Sequence, residues 1–318
     1  MKTVVVGGGS WGTAFAGLLR DNGHEVTLAM RDPEQVVAVA ETGRNPRYAQ
    51  EADLRGVGAS LVEDAPIVEA DLVVVAVPSR AFAAVVRGLP GSAPVLSLAK
   101  GLDPATGARL STLVEGRPAA VLSGPNIAGE IVRRLPAAAV AASDDLALAV
   151  RVQLAVHSTL FRVYVSDDTA GVELCAAAKN VVALAAGAAD GLALGDNAKA
   201  ALVARGLAEM RRLAEAAGAR PDTFAGLAGM GDLVVTCWSP SGRNRLAGEL
   251  IARGATPDEA ASEIGQVIEG LTTAPVLRDL SHRLGIELPI TEGVCAVLDG
   301  VPLTELVSRL MRRAPTTE

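Results

Sequence analysis

Aromatic residues are scarce in this chain. Of its 318 residues only four are Phe, two Tyr and two Trp. That leaves no supply of ring platforms on which nucleobases or sugars could stack, and argues against a surface that binds single-stranded nucleic acid. Half of the residues are nevertheless apolar. The cores must therefore be built from Ala, Val and Leu, a composition suited to closely packed helices and buried parallel strands.

Cysteine and histidine are as sparse. Cys175, Cys237 and Cys295 are widely spaced, as are His24, His157 and His282. No Cys-x-x-Cys or Cys/His ligand spacing exists, so neither a metal site nor a disulfide framework is expected. Thiols without staples fit a cytoplasmic location. A net charge of −7 excludes a generally basic nucleic-acid face and leaves local anion sites open. No uninterrupted apolar run has the roughly 18 to 20 residues of a membrane span. Met1-Lys2, an apolar run and Ala14-Phe15-Ala16 imitate a signal peptide, but Gly7, Gly8, Gly9, Ser10 and Gly12 interrupt the apolar core it would need. The length favours two domains over one core.

What the chain does have begins at once. Thr3-Val4-Val5-Val6 reads as a strand buried on both faces. It runs into Gly7-Gly8-Gly9-Ser10-Trp11-Gly12, a helical stretch to about Arg20, a turn at Asn22-Gly23, and a second strand over Glu25 to Met30. A G-x-G-x-x-G match in this strand–turn–helix–strand context predicts a dinucleotide site. Gly7 would make the tight turn, Gly9 would admit the pyrophosphate, and Gly12 would let the helix close on the sheet. At the end of the second strand, an acidic residue would hold a ribose 2′-hydroxyl and an arginine a 2′-phosphate. Here Arg31 precedes Asp32, so NADP(H) is preferred, with NAD(H) open.

Strand and helix patterns continue through Ala70 to Val77, Pro94 to Ala99, Ala119 to Leu122, Ala137 to Ala141 and Phe161 to Val165. Ligands of open α/β sheets bind beyond the carboxyl ends of strands. That places Lys100, Gly124 and Asn126 as candidates to line one crevice. The pattern turns helical near Asp168, giving an expected dinucleotide-binding domain over 1–167 and an all-helical domain over 168–318.

Between Val172 and Ala189 nearly every residue is small and apolar, so this helix must be buried. Lys179 and Asn180 sit in its middle. A buried ammonium needs a partner. Two readings stand: a structural ion pair with Glu173 or Asp232, or a lysine in a cleft poised to protonate a substrate oxygen. The helix over Asn197 to Ala217 has polar residues including Lys199 and Glu209, read as a solvated face. Gly229 to Asn244 gathers Asp232, Thr236, Arg243 and Asn244 in a Gly/Ser/Pro-punctuated stretch. It reads as a shaped loop rather than a helix, one whose arginine fork suits a phosphate ester.

Taken together, GGGSWGTA at Gly7, AKG at Ala99, SGPNIAGE at Ser123, AAAKNVVALAAG at Ala176, GDNAKAALVARGLAEM at Gly195, GMGDLVVTC at Gly229 and VIEG at Val267 resemble the bacterial-type NAD(P)-dependent glycerol-3-phosphate dehydrogenases. The resemblance covers roughly Lys2 to Leu298. It implies an N-terminal Rossmann-like doubly wound α/β sheet followed by an all-α domain of the 6-phosphogluconate dehydrogenase-like type. The implied reaction is reversible reduction of dihydroxyacetone phosphate to sn-glycerol 3-phosphate, which supplies phospholipid synthesis, in a homodimer that binds no metal. The resemblance also implies that Lys179 donates the proton, assisted by Asp232 and Asn180. It assigns Lys100, Gly124, Asn126, Lys179, Asp232, Thr236, Gly242, Arg243 and Asn244 to the substrate. Ser10, Trp11, Arg31, Lys100, Ala128, Arg243, Val267 and Glu269 are assigned to the cofactor. Gly242 departs from the family's usual Ser, which removes a hydroxyl. Asn126 replaces the usual Ser or Thr, and Ala29-Met30 stands where a Trp is common. A β-hydroxyacid or opine-type dehydrogenase would share the Rossmann half and a helical-domain lysine without the GDLVVTC…RN stretch. A non-catalytic NAD(P) sensor would need the glycine turn but no buried lysine.

Overall fold

The structure is a computed structural model that describes residues 1–303 and 305. In chain order the strands are β1 (Lys2–Val6), β2 (Glu25–Met30), β3 (Gly58–Leu61), β4 (Leu72–Val75), β5 (Val95–Ser97), β6 (Ala119–Ser123), β7 (Ala137–Ala142) and β8 (Phe161–Ser166). The helices are α1 (Ser10–Asp21), α2 (Pro33–Thr42), α3 (Ser79–Gly88), α4 (Ala128–Val132), α5 (Leu146–Val156), α6 (Thr169–Gly191) and α7 (Gly195–Ala216). They continue with α8 (Pro221–Ala225), α9 (Asp232–Trp238), α10 (Arg243–Ala252), α11 (Pro257–Ile264), α12 (Glu269–Leu284) and α13 (Pro289–Leu298).

The chain divides into two compact units. The first comprises Met1–Ala176 with Gly218–Asp232, the second Ala177–Ala217 with the chain from Leu233 onward. A single division before Asp168 therefore differs from the observed packing in two respects: the first unit runs on to Ala176, and a later segment, Gly218–Asp232, folds back onto the sheet. Asp168 explains the return. Its carboxylate accepts from the Thr223 hydroxyl at 2.5 Å and from the Arg220 N–H at 3.1 Å. Ala228 then packs with Val121, Ala142 and Val172.

The first unit is built on one eight-stranded sheet in the order β3-β2-β1-β4-β5-β6-β7-β8. Every adjacent pair is parallel except β6 with β7. β1 and β4 are buried along nearly their whole length, the pattern of strands covered on both faces. Alternate side chains serve opposite cores: Val5 joins Phe15 and Leu19 of α1, whereas Val4 and Val6 join Phe82 and Val86 of α3. This is a Rossmann-like doubly wound sheet. The strand order reverses at β1, so the carboxyl ends of β1 and β4 border the crevice where such sheets bind ligands. The short β3, exposed at Gly58 and half-buried from Ala59 to Leu61, has no apolar run and was not anticipated from the sequence.

The second unit is entirely helical among its described residues. α6 is long and apolar enough on average to cross a membrane, but 89% of its most apolar window is buried inside the protein, the situation of a core helix. Two α7 charges are buried, against the expectation of a solvated face. Lys199 donates to Asp190 at 2.7 Å and lies 5.1 Å from the centroid of the Trp238 ring. Glu209 accepts the N–H groups of Ile290 and Thr291 at 2.5 and 3.3 Å, supplying acceptors to the first turn of α13. Both find partners too distant in sequence for helical periodicity to reveal.

Candidate functional site

The glycine turn links β1 to α1. Gly7 has φ of +116°, a conformation open to glycine alone at little cost, and a Cβ there would sit 2.6 Å from the Ala76 carbonyl oxygen after β4. A Cβ on Gly12 would overlap the Gly7 carbonyl oxygen, so the helix could not close on the turn. Gly9 differs: a Cβ built on it meets nothing within 4 Å. Gly9 is also the N-cap of α1, with no side-chain cap, and the first bond into the helix is from Thr13 N–H to Gly9 O at 2.9 Å. The open face beside Gly9 and the uncapped first turn of α1 form a cradle for a pyrophosphate. These residues fit a dinucleotide.

Ser10 opens α1. The Trp11 ring packs edge-on to Phe15 at 5.4 Å and lies 6.4 Å from Phe161, with its buried indole N–H lacking a hydrogen-bond partner. Arg31 is exposed immediately after β2. Asp32 is occupied: its carboxylate caps α2 by accepting Glu34 N–H at 3.0 Å. Ala128 starts α4.

At the carboxyl ends of β5 and β6 the first unit assembles a polar cluster. Lys100 Nζ donates to the Gly124 carbonyl at 3.1 Å, to Asn126 Oδ1 at 2.7 Å and to Asp232 Oδ2 at 2.9 Å. Asp232 is only 1% exposed and also accepts from Ser123 Oγ at 3.3 Å. Four residues singled out from three segments thus meet, with Gly124, Asn126 and Asp232 around the Lys100 ammonium. Ser123 was not among them. As a small polar residue ending an apolar strand, it gave the sequence no reason to rank it above its neighbours.

The second unit holds the other candidate lysine, Lys179. Lys179 is 4% exposed, and its Nζ donates to Thr236 Oγ1 at 3.0 Å. The proposed structural partner Glu173 is committed elsewhere, accepting from Ser111 N–H at 2.8 Å, Ser111 Oγ at 2.5 Å and Arg109 at 3.3 Å. Burial pushes the Glu173 carboxyl above the usual glutamate range, and its donors from Ser111 and Arg109 only partly offset this. Burial likewise raises the Cys175 thiol, helped by the charges of Asp168 and Asp232, so it stays protonated. Asn180 accepts from Asn244 Nδ2 at 2.9 Å, and Asn244 Oδ1 accepts Gly270 N–H at 2.8 Å. That chain of amides ties α6, α10 and the start of α12 together.

The stretch from Gly229 to Asn244 is corrected by the structure. It is not one loop: Leu227–Gly231 forms a π-helical turn that continues into α9. The reason is a four-residue repeat. Leu233 and Cys237 are fully buried on one side, while Met230, Val234 and Trp238 face outward. Asp232 and Thr236, also four apart, share a third side of that helix. Only Ser239 to Gly242 is a turn, closed by Gly242 N–H to Ser239 O at 3.0 Å. Gly242 is the N-cap of α10 without a side-chain cap, and a Cβ on it would lie 2.9 Å from the Thr236 carbonyl oxygen. The absent hydroxyl thus has a steric reason. Arg243 is exposed in the first turn of α10 and Asn244 is buried. Val267 is half-buried two residues before Glu269, which opens α12. Among the described residues no three His, Cys, Asp or Glu side chains gather as a metal site.

Comparison with known proteins shows the family. Residues 2–149 match the family described as NAD-dependent glycerol-3-phosphate dehydrogenase N-terminus, and residues 168–308 its C-terminus. A protein of Pseudomonas syringae pv. syringae named glycerol-3-phosphate dehydrogenase [NAD(P)+] is 43% identical over 99% of this chain and 95% of its own length. One of Legionella pneumophila with the same name is 43% identical over 100% and 99%. The crystal structure of glycerol-3-phosphate dehydrogenase from Coxiella burnetii superposes with a TM-score of 0.94 at 35% identity, over 98% of this chain and 99% of that one. Ketopantoate reductase from Ralstonia eutropha, at 19% identity and a TM-score of 0.59, shares the fold. This chain is an oxidoreductase and belongs to the NAD-dependent glycerol-3-phosphate dehydrogenase family.

Proposed function

We propose that this chain catalyses the reversible reduction of dihydroxyacetone phosphate to sn-glycerol 3-phosphate, with NADPH favoured over NADH. The observation that carries the reading is Lys179: an ammonium buried in an apolar helix and hydrogen-bonded to Thr236, a residue of the family's own motif. Family membership and the resemblance of full-length relatives support the substrate.

The nicotinamide cofactor supplies the hydride when bound. The turn from Gly7 through Gly9 to Gly12 would hold its pyrophosphate, and the family resemblance assigns Ser10, Trp11, Ala128, Val267 and Glu269 to the cofactor. The NADPH preference rests on Arg31, exposed where a 2′-phosphate would be met, while Asp32 is engaged as a helix cap. Arg243 grips the substrate phosphate with its planar fork, and the uncapped N-terminus of α10 adds positive potential there. Arg243 and Lys100 also serve the cofactor side.

As the carbonyl is reduced, negative charge grows on the C2 oxygen. Lys100 offsets that charge, and Lys179 delivers the proton. Thr236 aims the Lys179 ammonium, and Asp232 fixes Lys100 beside Gly124 and Asn126. Asn180 and Asn244 brace the substrate. The Asn244 oxygen and one amide hydrogen are already engaged, which leaves one Nδ2 hydrogen for the ligand. Gly242 contributes backbone only.

The wider reading is a homodimer in the cytoplasm feeding phospholipid synthesis, with the Rossmann-like sheet as cofactor domain and the helices beyond 168 as the main substrate domain. Family resemblance supports these points. The test is loss of NADPH absorbance on adding dihydroxyacetone phosphate, run in parallel with NADH and with carboxylated substrates such as β-hydroxyacids. Turnover only with the carboxylated compounds would reject this substrate. Cofactor binding without turnover of any of them would leave a sensor.

A further inference from the structure

Asn45 lies in the segment after α2, outside every motif discussed so far. It is a polar residue with no exposed surface at all. Its Nδ2 donates to the Gly8 carbonyl at 2.9 Å and to Thr13 Oγ1 at 2.9 Å. Its Oδ1 accepts the N–H groups of Arg47 and Tyr48 at 3.0 and 3.1 Å. Thr13 Oγ1 donates to the same Gly8 carbonyl at 3.3 Å. The Asn45 amide thus reaches the Gly8 carbonyl both directly and through the Thr13 hydroxyl of α1.

The Gly8 carbonyl and the Gly9 N–H belong to one planar trans peptide, in which the two groups point in opposite directions. Fixing the carbonyl toward Asn45 and Thr13 therefore aims the Gly9 N–H the other way. A peptide between two glycines has little steric resistance to rotating about its flanking bonds. Without an anchor, the Gly8–Gly9 plane could turn its oxygen toward a bound anion. An oxygen aimed at a pyrophosphate would repel it, whereas an N–H attracts it.

We propose that Asn45 is a positioning residue for the dinucleotide: it locks the Gly8–Gly9 peptide so that the Gly9 N–H faces the pyrophosphate. This rests on the reading that the glycine turn binds the dinucleotide. The pyrophosphate is common to both cofactors, so the lock acts on NADH and NADPH alike, unlike Arg31.

The test titrates full-length protein with ADP-ribose, NADH and NADPH by calorimetry, without substrate. Asn45→Ala is expected to raise all three Kd values by a similar factor, at least about tenfold, the scale of one hydrogen bond to a charged group. The KM for dihydroxyacetone phosphate, measured at saturating cofactor, stays within about twofold, since an effect at the pyrophosphate does not reach the substrate. Asn45→Asp separates two roles. It keeps the acceptor for Arg47 and Tyr48 but replaces the donor to Gly8 with a carboxylate, so it should bind all three ligands at least as weakly as Asn45→Ala. If Asn45→Asp binds like the parent, Asn45 serves only its own loop and the proposal falls. Where Asn45→Ala does not fold, Thr13→Val removes the second donor to Gly8 and should weaken all three ligands by a smaller common factor; unchanged Kd values there overturn the proposal. A parent chain that fails to bind ADP-ribose overturns the dinucleotide reading and this one with it. A parent that binds, beside a folded Asn45→Ala with unchanged Kd, overturns this one alone.

Discussion

Lys100 and Asp232, 132 residues apart in sequence, meet at 2.9 Å, with the carboxylate almost wholly buried and the ammonium only partly so. Nothing local brings them together. The lysine follows the carboxyl end of β5, and Asp232 opens α9 directly after the π-helical turn that packs with the sheet. A charge pair this enclosed stabilises the fold only while both members are present, since a lone buried charge is costly.

Asp232→Asn keeps the shape and removes the charge. It keeps Gly124 O and Asn126 Oδ1 as neutral acceptors for Lys100 but removes the anionic one. The expected outcome is a drop in kcat/KM for dihydroxyacetone phosphate of about 10²-fold, with a stability loss on the order of 2 kcal/mol. Thermal melts and initial rates measure the two effects separately. Wild-type rates in a folded variant would remove Asp232 from the chemistry.

Lys179 and Arg243, both in the helical unit, should fail in different ways. Lys179→Ala removes the proton donor and should lower kcat by about 10²-fold or more. Arg243→Ala removes the phosphate grip and should mainly raise KM for the phosphorylated substrate. Steady-state kinetics over a substrate series separates them. Near-normal turnover in Lys179→Ala would sink the proposed mechanism, and an unchanged KM in Arg243→Ala would move the phosphate elsewhere.

How much of this could be read beforehand depends on how far apart the partners lie. The Gly7 to Gly12 turn was legible because its strand, turn and helix are contiguous. Lys179 was legible because one charge in an apolar helix is conspicuous without knowing its partner. The α9 segment was misread because its glycines and serines suggested a loop, while the repeat of Leu233 and Cys237 is short enough to escape notice. Lys199 and Glu209 were read as solvated because Asp190, Trp238 and the start of α13 do not share their helical face. Asn45 gave no sign at all, since the carbonyl it holds lies 37 residues earlier.

Gly242→Ser would restore the hydroxyl common in the family, and its cost can be stated. The new Cβ would stand 2.9 Å from the Thr236 carbonyl oxygen and 3.1 Å from that of Ser239, closer than such contacts normally allow. Both neighbours are backbone, so relief requires the turn itself to move. A stability loss of about 1–3 kcal/mol is expected, as for other overpacked sites, with no fall in KM for dihydroxyacetone phosphate. An unchanged melting temperature together with a lower KM would mean that the turn yields easily and that the hydroxyl is worth having.

Glu173 makes the stability of the fold depend on pH in a definite direction. Burial raises its carboxyl above the ordinary 4.5, and the donors from Ser111 and Arg109 offset that only in part. The folded state therefore keeps a proton that the unfolded chain has already released. Below pH 4.5 the residue is protonated in both states and its contribution is complete. As pH rises from there through the folded value, the unfolded chain gains by ionising first, and that contribution is lost. Glu173→Gln cannot titrate. The melting temperature of the parent minus that of Glu173→Gln should thus be greatest at or below pH 4.5 and decline steadily as pH rises toward neutrality. Melts of both proteins across that range decide the matter. A difference that grows with pH would mean that the Ser111 and Arg109 donors outweigh burial and hold the carboxylate ionised.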